Sequence, residues 1–158
     1  MATLTQANPR AYKGHMETVK LLITNGQSWN AGQFLHTASG ALSATATGSV
    51  NFKYVAKTTQ ADPGNTTTTA EVWVITNDVI FEGNELDATA AVQTWIGGIY
   101  NINVASNVVT VDVDSTSVPS VEIVDVGFLY EPIKNSAADT NPLVTFRVLQ
   151  SVLDAAGS

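Results

Sequence analysis

Apolar residues recur at every second position through much of the chain, the period of a strand with one face against a core. In ETVKLLIT, residues 17–24, Val19, Leu21 and Ile23 share a face, and the Asn25-Gly26 that follows is a favoured hairpin turn. SVNFKYVAK, residues 49–57, sets Val50, Phe52, Tyr54 and Ala56 against Ser49, Asn51, Lys53 and Lys57, with Val55 out of phase. VVTVDVD places Val109, Val111 and Val113 inward and Thr110, Asp112 and Asp114 outward. VTFRVLQ alternates Val144, Phe146 and Val148 against Thr145, Arg147 and Leu149. Between these runs stand Pro119, Pro132 and Pro142, where a missing N–H breaks no ladder.

Three segments depart from simple alternation. VEIVDVGFLY, residues 121–130, changes phase after Ile123, and a β-bulge near Ile123-Val124 would return both apolar sets to the core. AEVWVIT, residues 70–76, is apolar on both sides, with Ala70, Val72 and Val74 on one and Trp73 and Ile75 on the other. Both faces must then be covered, one by the core and the second by a helix, a loop or another subunit, so Trp73 and Ile75 are candidates for a subunit interface. DATAAVQTWIGG switches to helical spacing at Ala88, Ala91, Val92, Trp95 and Ile96. This predicts a short helix with Asp87 as N-cap and Gly97-Gly98 closing its last turn. Residues 58–70, TTQADPGNTTTTA, read as a long hairpin loop around Pro63-Gly64-Asn65, either a contact surface or simply an exposed tip.

The expectation is therefore an all-β domain, a β-barrel, β-tulip or sandwich, with one short helix. A basic segment at residues 1–16, interrupted by Pro9 and Gly14, reads as an extended N-terminal arm, and residues 17–158 as a single β-rich body. No repeat of solenoid or propeller length is visible.

Charge sharpens that division. Residues 1–57 hold Arg10, Lys13, Lys20, Lys53 and Lys57 against Glu17 alone, whereas the rest holds two cations and thirteen carboxylates, within a net charge of −7. Such asymmetry suggests that the basic end meets something the acidic end would repel. Only 13% of residues are charged, about half the roughly 25% usual for a soluble domain. With few lysines to blunt sheet edges, either other chains cover those edges or the surface is simply rich in Thr and Ser.

Candidate chemistry is sparse. No apolar run approaches a membrane span, no secretory signal pattern opens the chain, and the absence of cysteine excludes disulfides and thiolate sites. His15 and His36 lack metal-pair spacing, TASGAL is not a nucleophile elbow, and no phosphate-binding or dinucleotide glycine motif occurs. Three cations in the first twenty residues, Arg10, Lys13 and Lys20, are too few for nucleic acid beside so acidic a body. Asp112 and Asp114 would share one side of a strand, but the calcium-loop pattern fails at Ser117, where glycine is needed, and at Ile123, where glutamate is needed. Glu82, Glu85 and Asp87 are accounted for as acids preceding a helix N-terminus. No catalytic, cofactor-binding or metal residue is assigned, and an enzyme is not expected.

The order of the elements carries a resemblance. The basic arm, GQFLHTASGALSATATGSVNFKYVAK, TTTTAEVWVITNDVIFEG, the segment before GGIYNIN, and the closing TFRVLQ together resemble the capsid decoration, or cement, proteins of tailed bacteriophages. The resemblance implies a non-enzymatic virion protein on the capsid surface, a homo-oligomer (a trimer, or else a dimer) that clamps neighbouring major capsid proteins. It also implies an arm that adds a strand to the capsid lattice, with Arg10, Tyr12, Lys13 and His15 as its contacts. No nucleic acid, membrane or cofactor enters that reading. The alternatives are another phage part, such as a connector or tail protein, or a carbohydrate-binding module using Trp29, Trp73 or Trp95 as a stacking platform.

Overall fold

The computed structural model describes residues 4–87, 89–126 and 139–156. Eleven strands follow one another: β1 (Arg10–Lys13), β2 (Thr18–Leu22), β3 (Phe34–Ala38), β4 (Ala41–Ala44), β5 (Tyr54–Ala56), β6 (Thr69–Val74), β7 (Ile80–Asn84), β8 (Ile99–Ala105), β9 (Val108–Asp112), β10 (Val121–Asp125) and β11 (Leu143–Val148). One helix, α1 (Gln150–Ala155), ends the described chain. The strands form two sheets, ordered β2-β6-β5-β3-β4 and β1-β7-β11-β10-β8-β9, with antiparallel strand pairs throughout. The fold is all-β and sandwich-like. No helix among the described residues is long and apolar enough to cross a membrane.

Each sheet curls until strands near its two ends meet at one parallel bridge. In the five-stranded sheet Ile23, just past β2, bridges Leu42 on β4, and the Thr24 N–H donates to the Leu42 carbonyl at 2.9 Å. In the larger sheet Glu85, just past β7, bridges Val111 on β9, and the Leu86 N–H donates to the Val111 carbonyl at 2.8 Å.

The two-sided apolar pattern of AEVWVIT is resolved inside the chain. Val72 is buried with Ile23, Trp29, Leu35, Leu42, Tyr54 and Ala56 in a small core within the five-stranded sheet, and Ala70 and Val74 pack against it. On the other face Ile75 is buried and Trp73 half-buried against the main core between the sheets. The same alternation sends Leu35 to the small core and Phe34 to the main one, and divides Tyr54 and Ala56 from Val55. Val55, out of phase for a one-sided strand, is in phase for a sheet buried on both sides. Phe34 stacks on Phe52 at 4.9 Å between centroids and meets Phe81 edge-on at 5.2 Å, so aromatic contacts join the sheets.

Several sequence expectations hold. Val19, Leu21 and Ile23 do face one core, the loop after β5 does connect an antiparallel hairpin to β6, and the phase change in β10 is a bulge between Ile123 and Asp125. Val121, Ile123 and Val126 are all buried as a result, while Phe128 and Tyr130 lie outside the described residues.

Others need correction. The described residues of DATAAVQTWIGG contain no α-helix: Ala90 makes a bridge to Thr140, and only Gln93–Trp95 form a single 3₁₀ turn without a side-chain cap. Helical spacing there reflected alternate use of both sides of an irregular segment, with Val92 exposed and Ala91 buried. Gly97 does adopt the left-handed conformation. The helix instead follows β11, where Val152 and Leu153 dock on the main core. Asn25-Gly26 is a turn, but β2 pairs with β6 rather than with the strand that follows the turn.

The N-terminal segment is extended, yet it belongs to the body. β1 pairs antiparallel with β7, Arg10 opposite Glu82 and Ala11 opposite Phe81. Gly14 then turns the chain toward the other sheet at φ +96°, where an added Cβ would come within 2.9 Å of the Val79 backbone.

Candidate functional site

Two places gather polar and charged side chains: a trough beside β1 and an acidic corner where β7 meets β9.

The trough, about 480 Å³, runs between β1 with its following turn and the five-stranded sheet. Pro9, Ala11 and Met16 form one wall, and Val55, Ala56 and Trp73 form the other. Its arginine is already engaged. Arg10 donates to Glu82 Oε1 through Nη2 at 2.7 Å and through Nε at 3.0 Å, and the Glu82 side chain is almost fully buried. Lys57 lies 4.5 Å from the Trp73 ring centroid and donates to Glu71 at 2.7 Å, which holds the Glu71 carboxyl below its usual range. Exposed His15 pairs with Glu17 at 3.2 Å. Lys13 lies over the ring of half-buried Tyr12. Of the arm contacts expected from the sequence, Arg10 and His15 line the trough and Tyr12 and Lys13 lie between them on β1, but the Arg10 charge is met by Glu82 of the same chain.

Of the subunit-interface candidates, Ile75 is only 3% exposed and belongs to the main core, and Trp73 divides its surface between that core and the trough. The stacking platforms fare differently. Trp29 is 1% exposed and fills the small core, Trp95 packs against the main core, and Trp73 carries the Lys57 ammonium over its ring.

The acidic corner joins two stretches that the sequence left separate, FEGNELD and VDVDST. The bridge between Glu85 and Val111 is what brings them together. Glu85 has no exposed surface. Its Oε2 accepts the Asp87 N–H at 2.8 Å, and its Oε1 is buried without a hydrogen-bond partner. Burial pushes the Glu85 carboxyl up to about 8, and the neighbouring charges of Asp87 and Asp114 add to the rise. Asp87 is likewise raised, by burial first and then by its hydrogen bond to Asp114 and the charges of Asp114 and Asp112.

Asp87 therefore caps no helix. Its carbonyl accepts from the Asn141 backbone and side chain, and its carboxyl meets other carboxyls. Asp114 lies past the end of β9 in a turn where its N–H donates to Asp112 Oδ1 at 3.1 Å, so the two aspartates do not project side by side from one strand. Among the described residues no three His, Asp or Glu side chains form a group that could hold a metal ion. His15 lies in the turn after β1 and His36 on β3. Comparison with protein-family models, with curated proteins and with solved structures finds no match.

Proposed function

We propose that this chain is a non-enzymatic structural protein that binds other protein surfaces, of the capsid decoration type, and that it docks on the outside of a phage head through the face carrying β1. The observation that supports this reading most is the trough: an apolar floor flanked by β1, with exposed Arg10, Ala11 and His15 lining it and exposed Lys13 at the end of the same strand. A low-charge β surface with an apolar trough beside a strand that carries Arg10 and Lys13 suits a partner protein better than a small polar substrate. On this reading the arm contributes as a strand fixed within the domain, and the partner is an acidic patch of the major capsid protein. A homo-oligomer, with a trimer favoured, completes the proposal.

The experiment avoids deleting residues 1–16, because that would remove β1 and the Pro9 packing on Gly83 and so test folding. Lys13→Glu and Ala11→Arg alter the exposed face of β1 instead. Each is expected to lower occupancy on purified heads while leaving Tm unchanged. Full occupancy by both variants would sink the assignment of this face, and absence of the protein from purified virions would sink the capsid reading itself.

A further inference from the structure

The acidic corner is independent of what the trough binds. The closure of the larger sheet there rests on little: one bridge between Glu85 and Val111 and the Leu86 N–H to Val111 bond. The side chain at that point is a fully buried carboxyl whose Oε1 makes no close hydrogen bond, with the backbone N–H groups of Asp87 and Val113 favouring its ionised form less than burial opposes it. Among the described residues every titratable group acting on it is another carboxyl: Asp87 after β7, and Asp114 in the turn after β9, with Asp112 acting on Asp87. The remaining neighbours are neutral. Gln6 donates to the Glu85 and Leu86 carbonyls, and the Glu85 N–H donates to the Pro142 carbonyl. An ionised Glu85 would be a buried anion that no cation among the described residues meets, among like charges, which is among the costliest arrangements in a protein interior. A protonated Glu85 is a donor, and the Asp87 carboxylate it meets is an acceptor.

We propose that Glu85 is a proton clasp on the β7–β9 closure. With its proton it shares a hydrogen bond with Asp87 and holds the corner shut; without it the carboxylates repel and the Leu86–Val111 bond opens. The proton is the only species bound or released. The clasp is shut through neutral pH and releases as pH rises through about 8.

Amide hydrogen exchange of the intact chain reads this locally. The Leu86 amide reports the clasped closure, and the Thr24 amide, which donates to Leu42, reports the carboxyl-free closure of the other sheet. Leu86 protection relative to Thr24 is expected to fall several-fold across the alkaline range in the wild type. In Glu85→Gln, whose amide donates at every pH, it is expected to stay level. Asp114→Asn alters an exposed residue, spares the fold, and is expected to shrink the wild-type fall by removing one repelling charge. A level wild-type ratio, or an equal fall in Glu85→Gln, would overturn the clasp. So would a gain in Leu86 protection on adding calcium at neutral pH, which would give the corner to a metal.

Discussion

The two sheets close by the same device and with opposite chemistry. In the five-stranded sheet the parallel bridge joins Ile23 to Leu42, both fully buried, and the adjoining polar pair is neutral, the Ser43 hydroxyl donating to Thr24 Oγ1 at 3.0 Å. In the larger sheet the bridge falls on Glu85, among Asp87, Asp112 and Asp114. Backbone geometry does not demand a carboxyl at such a closure, because the first sheet manages without one. The first closure should therefore depend on apolar packing and ignore pH, and the second should depend on protonation.

The strongest way to break the comparison is to remove the packing. Trp29 plugs the small core, and its N–H and carbonyl both pair with Gln60, pinning the long loop over the sheet. Trp29→Ala is expected to cost about 3–5 kcal/mol, the range for deleting a buried aromatic ring. Urea denaturation should register that loss at every pH. A loss well under 1 kcal/mol would mean that the loop collapses into the space and that the first closure does not rest on this core.

Next in size is the pH response. Glu85 binds its proton more tightly folded than unfolded, so its contribution to stability is complete below the usual glutamate range and is lost as pH rises toward and through about 8. The wild type should lose stability in that window with a slope approaching about 1.4 kcal/mol per pH unit, the limit for one proton. Glu85→Gln should flatten the slope and melt higher than the wild type near pH 8, with little difference in acid. Parallel melting curves for the two proteins across the window would show that the corner is solvated enough to ionise freely.

How much of this was legible beforehand varies with the residue. Period-two patterns located Val19–Ile23, Val109–Val113 and Val144–Val148, and the phase break at Ile123 located a bulge, because alternation reports burial directly. The helix was misplaced for the same reason: spacing records which residues are buried, and an irregular segment can bury Ala91 and half-bury Trp95 and Ile96 without a single helical hydrogen-bond ladder. A six-residue helix such as α1 is too short to show a period. Sequence separates Glu85 from Asp114 by 29 positions, and nothing local to either stretch announced that a sheet closure would join them. Arg10 was read as a charge awaiting a partner because its pairing with Glu82 depends on β1 joining β7.

That pairing gives the third prediction. Arg10→Ala removes the two hydrogen bonds and the positive charge that Arg10 brings to the buried Glu82 carboxylate, an expected loss of about 1–3 kcal/mol, at the lower end because the Arg10 side chain is 70% exposed. Glu82→Gln on top of Arg10→Ala should recover part of the loss, since a neutral amide costs less to keep buried than a carboxylate once the Arg10 charge is gone. Chemical denaturation of the two variants side by side checks this. No recovery would show that Arg10 acts through packing along β1 rather than through charge. Glu82 is then the contrast to Glu85 on the same strand: one buried carboxyl answered by a cation, the other by a proton.

The smallest effect tests the neutral closure itself. Ser43→Ala removes the hydroxyl that donates to Thr24 Oγ1, while Ile23, Leu42 and the Thr24 N–H to Leu42 bond stay in place. Thr24 is half-buried, and water can take over its oxygen, so the expected cost is only the net worth of one neutral hydrogen bond, about 1 kcal/mol or less. The loss should be the same at mildly acidic and alkaline pH, because neither partner titrates in that range. A cost that grew with pH would place a charge near the first closure and would erase the distinction between the two sheets.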